Sequence, residues 1–361
     1  MVKYFTVGPS QLYPTVNGHL HEALDNHIPE ISHRSPQFKE IYNQTQKNIR
    51  SLLNLPEDYS ILFYSSATEC MERIVQNLSS KSSLHFVCGA FSKRFFNVAY
   101  DLGLDARMYQ VWIDQNEWFV TKNISKLYNF NPELVCVTFN ETSTGTQMDQ
   151  MMLDDIRKAF PNTLIAVDCV SSAPAIAMDY SKVDAAFFST QKLFGLPAGL
   201  GVLILSPNAI SRSANVKQEK PYSTSYLGVS KMHEQHTQSQ TPHTPNVLGI
   251  FLLNEVVKDM LVLGVERIYQ EVHKKAEFVY NHYEKNPKYT PYVRSNRNRS
   301  ETVIALKTVE PASNIVLRLE KQGFLISTGY GQSKEQLIRI ANFPATTLTD
   351  IQNLCAALDS I

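Results

Sequence analysis

Lys192 stands where an apolar strand, Ala185-Ala186-Phe187-Phe188, runs through Ser189-Thr190-Gln191 into a glycine- and proline-containing turn that leads to a second apolar run, Val202–Leu205. An ammonium in such surroundings must find a partner or lose its proton, because desolvation lowers a lysine pKa. A lysine that is neutral part of the time can attack a carbonyl and form a Schiff base. The same window also fits a lysine snorkelling from a strand end. A second candidate lies upstream, where the strand-like Tyr59–Tyr64 ends in Ser65-Ser66-Ala67-Thr68 before a helical run through Leu78. A strand, a turn of small residues and a helix N-terminus make an anion site, since unpaired N–H groups and the helix dipole point at the turn. Capping by Ser66 or Thr68 explains the same residues without a ligand.

These groups need a frame to bring them together, and the pattern supplies one. Apolar runs at Leu84–Cys88, Leu134–Phe139, Leu164–Asp168 and Ala185–Phe188 alternate with helical stretches. Continuously apolar strands between helices predict a mainly parallel sheet covered on both faces. Ligands gather at the carboxyl ends of such strands. Five successive strand ends carry small or polar residues or an aromatic ring: Ser66 with Thr68, Phe91 with Ser92, Asn140 to Gly145, Asp168 with Ser171, and Gln191 with Lys192. Their shared placement predicts one site on one rim.

Outside this frame, helices are expected from about Thr15 to Asp25, Phe38 to Leu53, Asn246 to Leu261, Val265 to Tyr283 and Leu348 to Leu358. Past Pro207 the pattern loosens, and a long irregular segment through Tyr222–Tyr226 and Thr237–Pro245 is expected, as a functional loop or an arm between subunits. Runs at Glu301–Leu306 and Gln336–Ala341 predict a small C-terminal α+β domain. The division expected is a large α/β domain over residues 16–250 and a smaller one built from 1–15 and 251–361.

Composition narrows the function. The 361 residues hold 34 basic and 34 acidic side chains, so no net field favours nucleic acid or an anionic membrane. No apolar run approaches the roughly 20 residues that span a bilayer, and the N-terminus lacks the apolar core of a signal peptide. Five scattered cysteines without a C-x-x-C pair fit reduced thiols and a cytoplasmic setting. His19 with His21, and His233 with His236, read as polar histidines, with no carboxylate or cysteine spaced to complete a metal site.

Together these residues resemble the class V pyridoxal-phosphate aminotransferases of fold type I, and within them the phosphoserine aminotransferase group. The resemblance begins at Val7-Gly8-Pro9 and includes Glu30–Ser35, Asn140-Glu141-Thr142, Asp168, Gln191-Lys192, Thr241-Pro242 and Arg339. It implies a mainly parallel seven-stranded sheet flanked by helices, pyridoxal 5'-phosphate as cofactor, and a homodimer with shared sites. Lys192 would anchor the cofactor and later move the substrate α-proton, while Asp168 would pair with the ring nitrogen. Phe91 would stack on the ring and Thr142 would bond its phenol oxygen. Ser66, Ala67, Thr68 and Gln191 would hold the phosphate, joined by Gln240 and Thr241 of the other subunit; Ser171 belongs to the same cofactor set. Arg339 would clamp the substrate α-carboxylate, and His33 with Arg34 would meet its distal anion. Glutamate as donor and 3-phosphohydroxypyruvate as acceptor, a step of serine biosynthesis, are expected. The phosphoserine group carries a second His-Arg pair shortly before the carboxylate arginine, and here that stretch reads Gly329-Tyr330-Gly331-Gln332-Ser333-Lys334. Lys334 is a candidate replacement for the missing charge, and the glycine-rich stretch brings the chain closer to alanine– or serine–glyoxylate-type members. Two rivals share the fold, a cysteine desulfurase and a non-catalytic cofactor-fold protein. Phe91 and the position of Cys355 argue against the first, and Lys192, Asp168 and Arg339 together against the second.

Overall fold

The computed structural model describes residues 2–111, 130–220 and 225–361. Tyr222–Thr224 of the expected polar segment, like Met1, lie outside the described residues. The large sheet has seven strands in the spatial order Ser60–Tyr64, Gly201–Leu205, Ala185–Ser189, Leu164–Asp168, Leu134–Thr138, Ser82–Val87 and Asp105–Gln110. All neighbours run parallel except Gly201–Leu205, which is antiparallel to both of its partners. Each buried strand sends alternate residues to opposite faces. Ile61, Phe63, Val135, Val137, Val167 and Phe188 enter one apolar core. Leu62, Tyr64, Leu134, Cys136, Ala166 and Phe187 enter the other. Two-sided burial is what makes these strands read as unbroken apolar runs.

The second sheet has five strands in the order Lys3–Phe5, Phe324–Thr328, Leu337–Ala341, Val303–Thr308 and Tyr289–Pro291. Its core packs Phe5, Ile304, Ile338 and Ile340 against the helices Val265–Tyr283, Ala312–Lys321 and Leu348–Asp359. The helix Val247–Leu263 lies on the large side, where Ile250, Leu253 and Val257 share a core with Phe38, Ile49 and Leu52 of Pro36–Leu53.

One expectation fails. The stretch after Pro207 is helical over Pro207–Glu219 and again over Val229–His236. Ser206 caps the first by accepting from the Ala209 amide, with Pro207 in its first turn. Its buried stripe is only Ala209, Ser213 and Val216, too narrow and too polar to register as periodicity. Thr237–Pro245 remains irregular. Among the described residues no helix is long and apolar enough to cross a membrane, and all five cysteines are buried and unpaired with one another.

Candidate active site

The turn that holds Lys192 is the link between two antiparallel neighbours. Ser189 and Gly201 face each other at the end of that ladder, and residues 190–200 close it. Gly195 sits at φ +59°, where its missing side chain leaves room for the Tyr13 backbone. Its amide bonds the Lys192 carbonyl, and its own carbonyl accepts from Tyr13 N–H at 2.8 Å. At the other end, a Cβ on Gly201 would lie 2.4 Å from the Ser66 carbonyl group. The lysine loop therefore packs directly on the Ser66–Thr68 turn.

That turn is the start of the helix Ala67–Leu78, with Ser66 as its N-cap accepting from the Glu69 amide at 3.1 Å. The hydroxyl oxygen caps the helix, and this contact leaves its O–H unused. The first helical amides have no partner within a helix, and Ser66, Ala67 and Thr68 line the same cavity as Lys192.

That cavity has a volume of about 290 Å³. Nine of the expected residues line it: Ser66, Ala67, Thr68, Phe91, Thr142, Asp168, Gln191, Lys192 and Arg339. Lys192 is only 7% exposed and Asp168 4%. Burial pushes the lysine pKa down and the aspartate pKa up, each shift being partly opposed by the other's charge. Lys192 Nζ donates to Thr142 Oγ1 at 2.9 Å. The Thr142 and Ser171 hydroxyls are 2.7 Å apart, and Ser171 donates onward to the Asn140 carbonyl at 3.0 Å. Ser171 thus stands behind Thr142 and orients it. The Asp168 carboxylate accepts from the Val170 amide at 2.9 Å, and the Phe91 ring centroid lies 5.3 Å from Lys192 Nζ.

Arg339 reaches the cavity from the second sheet, on the strand Leu337–Ala341. Its guanidinium donates to the carbonyls of Thr328 at 2.8 Å and Thr142 at 3.0 Å, which hold it in place without neutralising it. Burial lowers its pKa to about 10.

Sequence reasoning missed several groups. Glu141 is fully buried and accepts from the amides of Phe91 at 3.2 Å, Ser92 at 2.9 Å and Ser143 at 3.1 Å, and from both serine hydroxyls. It satisfies the N-terminus of the helix Ala90–Asp101 and so fixes where Phe91 sits. Gly89 leaves space for it, since a Cβ there would lie 2.4 Å from Glu141 Cγ. Ser189, Arg94 and Tyr330 also line the cavity. The signal for Ser189 was its place at a strand end beside Gln191 and Lys192.

Besides Ser171, five expected residues lie off this cavity: His33, Arg34, Gln240, Thr241 and Lys334. Arg34 donates to the side-chain oxygens of Gln235 and Gln240, His33 packs edge-on against Phe38, and buried Thr241 bonds the His243 carbonyl at 2.6 Å. Lys334 is exposed and does not line the cavity. The spacing argument against metal also missed a neighbour: His19, Glu22 and Glu255 place ligand atoms within 4.8 Å of one another. His19 is already bonded to Asp259 at 2.7 Å and Glu255 to Lys258 at 2.8 Å.

The residues fit a pyridine cofactor with a phosphate tail. The Ser189 hydroxyl is buried in the cavity wall with no hydrogen-bond partner among the described residues, the Ser66–Thr68 turn offers an anion site, and an amine and a carboxylate enter one space beside an aromatic ring.

Comparison with known proteins gives the same picture. The family model described as aminotransferase class-V matches residues 4–354. A phosphoserine aminotransferase of Corynebacterium glutamicum is 26% identical over 364 aligned positions, covering 99% of this chain and 93% of that protein. The crystal structure of a phosphoserine aminotransferase from Cytophaga hutchinsonii superposes with a TM-score of 0.93 at 39% identity, over 99% of this chain and 98% of the other. An alanine–glyoxylate aminotransferase from Nostoc sp. shares the fold, with a TM-score of 0.86 at 19% identity over 100% and 95% of the two chains.

Proposed function

The chain belongs to the class V aminotransferase family, whose members use pyridoxal phosphate, and from that premise we propose that it moves an amino group between glutamate and 3-phosphohydroxypyruvate. The observation that carries the reading is the convergence of Lys192, Asp168 and Arg339 on one cavity from two different sheets. The substrate pair is supported by the phosphoserine aminotransferases of similar sequence and structure.

Bound pyridoxal phosphate supplies an electron sink for the pair left at the substrate α-carbon when its proton departs. The protein's own groups do the rest. Lys192 anchors the cofactor and then carries the α-proton, a task helped by burial, which weakens its hold on a proton. Asp168 would favour a protonated ring nitrogen, since a nearby carboxylate stabilises the cationic ring. Phe91 would pack on the ring, with its helix pinned by Glu141. The Lys192–Thr142–Ser171 chain of hydroxyl contacts aligns the amine and offers Thr142 to the ring phenol oxygen. The Ser66–Thr68 turn and Gln191 receive the phosphate. Arg339, pre-set by two carbonyls, binds the α-carboxylate through its remaining N–H groups.

We extend the reading to the assembly. His33, Arg34, Gln240 and Thr241 belong to the shared site of a homodimer, and the direct bond between Arg34 and Gln240 supports their acting as one group. The site lies between a cofactor-binding unit of residues 16–250 and a smaller unit of 1–15 and 251–361, with the helix Val247–Leu263 crossing the joint. Five free cysteines support a cytoplasmic setting.

Half-reactions of the purified holoenzyme test the substrate. Glutamate should discharge the visible absorbance of the bound cofactor, and 3-phosphohydroxypyruvate should restore it. Restoration by glyoxylate or pyruvate and not by phosphohydroxypyruvate sinks the phosphoserine reading in favour of a small-amino-acid transaminase.

A further inference from the structure

Three cationic side chains line the cavity, Arg94, Lys192 and Arg339, against the single carboxylate of Asp168. In the function proposed above, Lys192 is taken up by the cofactor, Asp168 by its ring nitrogen and Arg339 by the substrate α-carboxylate. Arg94 is left without an assignment. Among the described residues it forms no ion pair with a carboxylate; its Nη2 donates to the Tyr330 hydroxyl at 3.1 Å, and its guanidinium carbon lies 5.1 Å from the Phe91 ring centroid. A guanidinium has five N–H donors in a planar fork, so most of its capacity is unspent.

Its contacts tie it to the Arg339 side of the cavity. Tyr330, 42% exposed and lining the cavity, bonds Arg94 through its hydroxyl and packs against Phe91 with the rings tilted by 32° and their centroids 5.4 Å apart. The Arg339 guanidinium carbon lies 5.8 Å from the centroid of the same tyrosine ring. One aromatic side chain therefore spaces two guanidinium groups along one wall. Tyr330 also stands in the Gly329–Lys334 stretch that lacks a His-Arg pair, and Lys334 of that stretch is exposed and off the cavity.

We propose that Arg94, steadied by Tyr330, binds the second anionic group of the substrate, so that this site selects amino and oxo acids carrying a side-chain carboxylate or phosphate. The inference rests on Arg339 taking the α-carboxylate. It does not require that the distal anion be a phosphate.

The test compares wild type with Arg94→Gln and Arg94→Lys as holoenzymes. Rates of cofactor absorbance change give kcat/KM for glutamate, phosphoserine and alanine in the amino-donor half-reaction. Inhibition by the inert glutarate and butyrate reports binding without turnover. Loss of a charge-assisted contact predicts that Arg94→Gln lowers the glutamate-to-alanine and glutarate-to-butyrate preferences by about tenfold or more, with Arg94→Lys in between. A change under fivefold in both preferences overturns the proposal, including when the variant has lost cofactor, which would assign Arg94 to the cofactor phosphate. If Arg94→Gln does not fold, Arg94→Lys is read in its place, and a change under twofold in both preferences overturns the proposal. A wild-type enzyme that prefers glutamate to alanine but rejects phosphoserine leaves Arg94 in place and removes the phosphoserine reading.

Discussion

Glu141 shows how a single side chain can govern a site it does not line. A fully buried carboxylate is tolerated only when its lone pairs are matched, and here three amides and two hydroxyls match them. Replacing it with glutamine keeps the shape but turns an acceptor into a donor facing other donors. Glu141→Gln should lower unfolding free energy by about 2–4 kcal/mol, read from denaturant midpoints, and should weaken pyridoxal phosphate retention because Phe91 loses its anchor. A variant as stable as wild type would mean that the helix end is satisfied some other way. Lys192 and Asp168 were legible in the sequence because an ionisable residue at the end of an apolar strand is costly and therefore conspicuous. Glu141 stood beside Thr142 in the Asn140-Glu141-Thr142 stretch but gave no sign of its role, since the helix amides it satisfies, those of Phe91 and Ser92, lie about fifty positions away. Arg94 lay unseen for a different reason: on a helix, an arginine next to a lysine looks like any solvated one.

At the scale of elements, the lysine loop and the phosphate turn form one unit because Gly201 lets them touch. A methyl group there would meet the Ser66 carbonyl carbon and oxygen at 2.4 Å and the Ala67 amide nitrogen at 2.9 Å, all backbone atoms that cannot swing aside. Gly201→Ala should cost about 1–3 kcal/mol of stability and reduce cofactor affinity, measured by absorbance titration of the apoenzyme. Gly18→Ala is the control, since a helical Cβ there meets nothing within 4 Å and should stabilise by about 1 kcal/mol. Equal effects of the two changes would contradict the close packing described. The long helices and buried strands followed from periodicity. Pro207–Glu219 did not, as its stripe is one residue wide per turn, and the edge strand Asp105–Gln110 did not, because it is largely exposed.

For the whole molecule, the residues away from the cavity carry the argument for a shared site. Lys192→Ala should be inactive, and Arg34→Ala should be impaired if Arg34 serves the neighbouring subunit. Unfolded together and refolded as a mixture, the two should recover up to about a quarter of wild-type activity, because half of the dimers would hold one intact site of two. No recovery beyond the sum of the separate variants would place Arg34 outside the shared site. The change in pattern after Pro245 marked a second unit, to which residues 1–15 were assigned as well, but the strand Lys3–Phe5 and its pairing with Phe324–Ile326 were not legible, since three residues carry no period.

Those first residues tie the sheets together over Lys192. Lys3–Phe5 pairs with Phe324–Ile326. Gly8 then passes so close to Lys192 that a Cβ would meet its Cε at 2.9 Å, and the Ser10 amide bonds the Gln191 carbonyl at 3.2 Å. An engineer who shortens this end, or loads it with a fusion partner, would thus disturb the seat of the Lys192 side chain together with the Phe5 core. Tags for purification belong at the other terminus.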